Sequence, residues 1–207
     1  MITEIDICNK AILRLGGNMV GSPDNLAASL DDSSLEAKLC KLDYALIRDV
    51  VTEQFVWSFA LKRVILDVPD PIKPAFGYTA AFPYPADALN IWRVDYNNYE
   101  TNAVDTNEVQ GSWRVEGGQV LANSQLINVQ YIRRMDLAGD INLFTPQFVD
   151  CFSLRLAVEM CMAITESSAL FSTLTQEYEK RKKDAYAING SQAKSEVFRA
   201  TQLTRVR

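Results

Sequence analysis

Residues 53–66 read EQFVWSFALKRVIL, and the periodicity of the chain changes within them. Upstream, apolar residues recur every three or four positions, as on one face of a helix. From Leu61 onward the residues become β-branched and aromatic and begin to alternate, as in a half-buried strand. Phe55, Trp57 and Phe59 stand at the change, followed by Lys62 and Arg63 with no catalytic partner in view. Large aromatic rings dominate core energetics, so the trio reads as a structural joint packed where a helix meets a sheet. Lys62 and Arg63 alternate with Leu61 and Val64, which sends at least one of the two to the surface of a strand to meet a carboxylate or a neighbouring subunit.

Working outward toward the N-terminus, residues 3–15 predict a first helix. Thr3 caps it with Asp6 three residues on, Ile5, Cys8, Ile12 and Leu15 share a face, and Gly16-Gly17 ends it. After a polar loop, Ser33 and Glu36 form a capping-box signature for a second helix. Leu35, Leu39, Leu42, Leu46 and Val50 repeat at spacings of three and four, and this stripe is expected to pack on other helices.

Downstream of the joint, RVILDV, YTAAFPY, LNIWRVDY, SWRVEGGQVLA and QLINVQYIRR read as about five β-segments, with Gly117-Gly118 a two-residue hairpin turn. Pro69, Pro71, Pro74, Pro83 and Pro85 make the first two segments edges or extended links. The polar run 97–112 has no periodicity and is expected to be an exposed loop. Thr145-Pro146 then starts a third helix. Its seam is Phe148, Phe152, Leu156, Met160 and Ala163, and Val149, Leu154, Val158 and Cys161 widen it enough to imply several neighbours. A last helix carries Leu170, Leu174, Tyr178, Arg181, Ala185 and Ile188 on one face and is closed by Asn189-Gly190. The expected fold is α+β: a helix bundle of residues 1–60 and 140–190, an inserted antiparallel β-rich domain over 61–139, and an extended tail over 191–207.

Composition narrows the chemistry. The 207 residues are 48% hydrophobic and 23% charged, enough to bury one large core or two small ones. No apolar run approaches the roughly 20 residues that span a bilayer. MITEIDICNK lacks the basic start and apolar centre of a signal peptide, so the chain is expected to be soluble and intracellular when made, with no membrane embedding. Cys8, Cys40, Cys151 and Cys161 lie in helical patterns with no C-x-x-C pair and read as buried free thiols. The chain has no histidine, which removes Ser-His-Asp and Cys-His nucleophiles and His-ligated metals. Neither Gly-Gly pair belongs to a phosphate-binding pattern, so no catalytic residue, metal or cofactor is expected. The net charge of −5 argues against general nucleic-acid binding.

Carboxylate chemistry remains open, and Glu159 and Glu166 sit in an otherwise apolar helix. A glycan hydrolase needs two carboxyl groups about 5 to 9 Å apart, one of them desolvated. No second acid stands at an evident spacing, and Glu159 is expected to pair with Arg155 or another helix. In EYEKRKKDA, Glu177 and Glu179 stand three to four residues before Arg181, Lys182 and Lys183, the spacing of intrahelical ion pairs; a phosphate contact is the alternative.

Several segments in order carry a family resemblance. AILRLGG at 11–17, SLDDSSLEAKLC at 29–40, W-x-FA-x-KR at 57–63 and YPAD at 84–87 come first. WRVEGGQVLAN at 113–123, YIRR at 131–134 and TPQFVDCFSLRLAVEMCMAITES at 145–167 follow. Over about residues 2–190 the chain resembles the tail tubular protein A family of short-tailed bacteriophages, on the order of the segments rather than any single motif. The resemblance implies a non-enzymatic protein of the virion tail, assembled in the host cytoplasm. Twelve copies would form a ring that joins the portal protein of the head to a nozzle protein resembling tail tubular protein B, with DNA in transit through the channel. A related head-completion ring and a tail-associated glycan hydrolase are the alternatives.

Under that resemblance the helices and the C-terminal segment would grip the portal. Lys194, Val197, Phe198, Arg199, Leu203, Arg205, Val206 and Arg207 form a cationic segment dotted with apolar residues, fit for an apolar groove with an acidic rim. Asn97, Asn98, Tyr99, Asn107 and Glu108 mark the loop expected to face the nozzle.

Overall fold

The computed structural model describes residues 2–16, 34–95 and 113–191. The fold is α+β. Helices α1 (Glu4–Arg14) and α2 (Leu35–Glu53) precede six strands, and α3 (Pro146–Thr165) and α4 (Ser168–Gly190) follow them. Strands β1 (Leu61–Leu66), β6 (Ile127–Arg133) and β3 (Ala88–Asp95) form one antiparallel sheet with β6 in the middle. Strands β2 (Ala80–Pro83), β5 (Gln119–Ala122) and β4 (Arg114–Glu116) form a second. Both proline-flanked strands, β1 and β2, are edges, where a missing N–H does not break a ladder. Gly117 and Gly118 take φ values of 57° and 77° in the β4–β5 turn, a left-handed pair that glycine adopts at no steric cost.

Local chemistry explains the helix ends. Thr3 and Asp6 form a complete capping box on α1, and Gly16 leaves it at φ 74°. Thr145 caps α3 by accepting from Phe148 N at 3.2 Å, with Pro146 in the first turn. Two expected ends differ. The cap of α2 is Ser34, which accepts from Ala37 N at 3.3 Å. Helix α4 runs through Gly190 without a left-handed turn and ends on Ser191, whose hydroxyl donates to Ile188 O at 2.7 Å. Asn189 instead bonds to Val56 and Ser58.

Helix α3 is the hub of the bundle, packed against α1, α2 and α4. Phe148, Phe152, Leu156 and Met160 are buried, as are Val149, Leu154, Val158 and Cys161, whereas Ala163, expected in the seam, is exposed. The expected leucine stripe of α2 is a correction. Leu35, Leu42 and Leu46 are 54%, 74% and 62% exposed, Leu39 and Val50 are half-buried, and the buried face is Ala37, Cys40, Tyr44, Ile47 and Val51. Both sets have helical spacing, so periodicity alone could not choose between them. Close packing decides: small Ala37 and Cys40 let α2 approach, with Cys40 Sγ 3.6 Å from Met160 Sδ and Tyr44 5.0 Å from Phe152 between ring centroids. On α1, Ile7 and Ala11 join the buried face and Ile5 is only half-buried. On α4, Leu174, Tyr178 and Ala185 are buried, whereas Arg181 and Ile188 are exposed.

Two apolar cores result. One fills the bundle; the other lies between the two sheets, with Phe82 and Val120 from one facing Ile91, Val94, Val129 and Tyr131 from the other. Strand β6 is buried on both faces: Ile127, Val129 and Tyr131 enter the sheet core, while Ile132 enters the helical one. A strand alternates its side chains, so β6 serves both cores at once. All four cysteines are buried and free.

Candidate interaction site

The site begins where α2 stops. Four carbonyls at the end of any helix have no partner within it. Trp57 folds back so that its indole Nε1–H donates to Val51 O at 2.9 Å, and the ring is 1% exposed. Around it, Phe55, Phe148 and Tyr186 stand edge-on at centroid distances of 5.5, 5.1 and 5.6 Å. Phe59 lies at 5.9 Å from Trp57 and 4.9 Å from Phe148, and Phe144 adds a contact at 4.7 Å to Phe148. Edge-on and offset pairs satisfy the ring quadrupoles and add about 0.5–1.5 kcal/mol each beyond area burial. Phe55, Trp57 and Phe59 therefore sit in one continuous aromatic body that includes both chain ends of the bundle.

Helix α4 holds this joint with groups that the sequence reading assigned no such role. Asn189 Nδ2 donates to Val56 O at 3.0 Å, and its Oδ1 accepts from Ser58 N at 3.1 Å and Ser58 Oγ at 3.2 Å. Phe55 stacks on Tyr186 at 4.0 Å, and Tyr178 OH donates to Gln54 Oε1 at 2.7 Å. Burial pushes the Tyr186 hydroxyl up to about 12 and raises Tyr178 as well, so both stay neutral.

Ion pairs continue the connection into the sheet. Arg133, at the end of β6, grips Asp140 through both terminal guanidinium nitrogens, and Leu137 N adds a bond to the same carboxylate at 3.0 Å. Burial works to raise Asp140, but these donors outweigh it and hold the acid below the usual carboxylate range. Arg134 Nε reaches Asp49 of α2 at 3.0 Å, and Arg133 N donates to Ala60 O at 2.9 Å. Lys62 does meet a carboxylate, Asp87 at 2.8 Å, and Tyr131 OH donates to the other Asp87 oxygen at 2.7 Å. Arg63 is exposed.

Several further acids are held by cations. Glu159 meets Arg155 at 3.0 Å and is 44% exposed, the opposite of a desolvated general acid. Across the helices, Asp43 is raised by burial and further by the charge of Glu159, a neighbour that sequence spacing did not reveal. Asp150 sits in a groove of about 680 Å³ and meets Lys10 at 2.8 Å, Arg14 at 2.7 Å and Arg181 at 3.8 Å. Burial opposes ionisation there, yet the three cations keep its carboxyl below the ordinary range. Glu177 pairs with Arg181 at 3.8 Å and Glu179 with Lys182 at 2.7 Å, the intrahelical pattern. Among the described residues no cluster of three or more Cys, Asp or Glu converges to hold a metal ion, and no helix is long and apolar enough to cross a membrane.

Of the expected contact residues, Lys194, Val197, Phe198, Arg199, Leu203, Arg205, Val206 and Arg207 lie outside the described residues, as do Asn97, Asn98, Tyr99, Asn107 and Glu108. Comparison with protein-family models gives no match, and comparison with curated protein sequences gives none either.

Proposed function

We propose that this chain is a non-enzymatic ring subunit of a short-tailed phage virion, seated between the portal of the head and the tail nozzle. The observation that carries the reading is a packed joint, where buried Trp57 and Ile132 of β6 share the helical core, between two bodies that both display large apolar side chains to solvent. An adaptor must hold two dissimilar partners at a fixed angle. Trp57, at 1% exposure and clasped by α3 and α4, suits that task better than a hinge would. Leu42 on the helical body and Phe76 on the β body, at 74% and 88% exposure, are surplus to a lone monomer and useful in an assembly. The ordered resemblance to tail tubular protein A supplies the kind of assembly, and mild acidity suits a channel that must release DNA.

Deleting 191–207 tests the portal contact: the truncated chain should keep its unfolding midpoint and stop co-sedimenting with portal rings. Undiminished co-sedimentation would contradict it. Replacing 97–112 by a short Gly-Ser turn should block nozzle recruitment and spare portal binding, and the reverse pattern would invert the assigned polarity. Turnover of peptidoglycan fragments that disappears in Glu159→Gln would overturn the non-enzymatic reading altogether.

A further inference from the structure

The segment between β1 and β2 is exposed and yet held. Pro69, Pro71 and Pro74 fix three φ angles over a short arm. Asp70 organises its base: the backbone N–H donates to Ala81 O at 2.7 Å, one carboxylate oxygen accepts from Ile72 N at 2.9 Å, and the other accepts from Gln119 Nε2 at 2.9 Å. Thr79 N ties the far end to Asn123 Oδ1 at 3.0 Å. From this frame Val68, Ile72 and Phe76 project at 74%, 78% and 88% exposure. An arm held at its base and its far end, with three large apolar side chains on display, has less entropy to lose on docking than a free loop.

Among the described residues a second apolar surface has no partner, the α2 face of Leu35, Leu42 and Leu46. We propose that the arm over 67–79 of one copy lies on this α2 face of the next copy, making the head-to-tail contact of the ring. The proposal rests on the ring reading for its expectation of many copies. Three observations select a second copy as the occupant. Among the described residues the two surfaces are different and both open, which is what a heterologous contact requires: each subunit gives an arm and receives one. Together the six side chains expose on the order of 800 Å², a large share of the roughly 1,200–2,000 Å² buried in a stable interface. Each surface carries charge of either sign, so opposite pairs can meet across the contact: exposed Asp67 beside Val68 and exposed Lys73 beside Ile72 on the arm, and exposed Lys38 and half-buried Asp43 around Leu42 on the helix.

Sedimentation velocity of the full chain over a concentration series tests the pairing, with Phe76→Asp on the arm and Leu42→Lys on the helix. Both positions are exposed, and matching thermal unfolding curves establish that each variant folds; Ile72→Asp and Leu46→Lys form a second pair. The wild-type chain should associate as concentration rises, and each variant alone should associate at least tenfold more weakly. An equimolar mixture of the two should form a dimer and nothing larger, because the intact arm of one fits the intact helix of the other and no further copy can add. Association retained in Phe76→Asp but lost in Leu42→Lys would mean a helix-on-helix pair and overturn the proposal. So would a wild-type chain that stays monomeric to about 1 mM. Rings that persist in micrographs when both variants are combined in one chain would sink the arm contact and leave the ring reading standing. The mixed dimer without rings at any portal would do the reverse.

Discussion

Trp57→Ala removes the centre of the joint, and its cost can be worked from the contacts. The indole is 1% exposed and touches four other rings, so truncation leaves a cavity between α2, α3 and α4. Large-to-small changes at such sites cost about 3–5 kcal/mol. Val51 O also loses the 2.9 Å bond from Nε1, adding about 1 kcal/mol. The sum, about 4–6 kcal/mol, is a large part of the roughly 5–15 kcal/mol by which domains are stable. For a chain of 207 residues this corresponds to a midpoint lowered by roughly 10–20 °C. Urea unfolding followed by far-ultraviolet circular dichroism measures it without relying on tryptophan emission. Trp57→Phe, which keeps a ring but loses the donor and some volume, should cost about 1–2 kcal/mol. Trp92→Ala, at a side chain 48% exposed, should cost under about 1 kcal/mol. A loss below about 1.5 kcal/mol in Trp57→Ala would show that the joint relaxes around the hole, and the rigid-angle argument would fall.

Further expectations concern the clasp, the ion pair and the packing of α2. Asn189→Leu loses three hydrogen bonds to Val56 and Ser58, and should lower stability by about 1–3 kcal/mol in the same urea assay. Asp140 has its folded-state acidity strengthened, so the unfolded chain, with an acid near pKa 3.9, takes up the proton first as pH falls. Its stabilisation is complete above about pH 5 and lost as pH drops through the lower folded value; Asp140→Asn should therefore flatten the melting temperature between about pH 5 and 2. Ala37→Leu overpacks a site of zero exposure and should cost about 1–3 kcal/mol, whereas Leu42→Gln on the same helix should stay within about 0.5 kcal/mol for the monomer.

What could be read from the sequence was set by how local its physics is. The Thr3–Asp6 box, the Thr145-Pro146 start of α3 and the Gly117-Gly118 turn depend on neighbours within four residues, and each formed where its residues foretold it. The change of period at Leu61 likewise marked the start of β1, a short link after the end of α2. The α2 face was illegible because two sets of residues share helical spacing, and the choice between them depends on how closely α3 can approach Ala37 and Cys40. Asn189 was read as a helix terminator from its pairing with Gly190, yet its partners lie more than 130 residues away in sequence. Arg134 with Asp49 and Asp43 with Glu159 were hidden for the same reason, since both pairs are formed by tertiary packing.

The joint matters to function only if the chain works as a fixed adaptor in a ring. Electron micrographs of the purified protein mixed with the portal of the same virus test that most directly. A second ring should stack on each portal, with countable symmetry expected to be twelvefold. Portals that remain bare at saturating protein, or that bind single scattered copies, would contradict it.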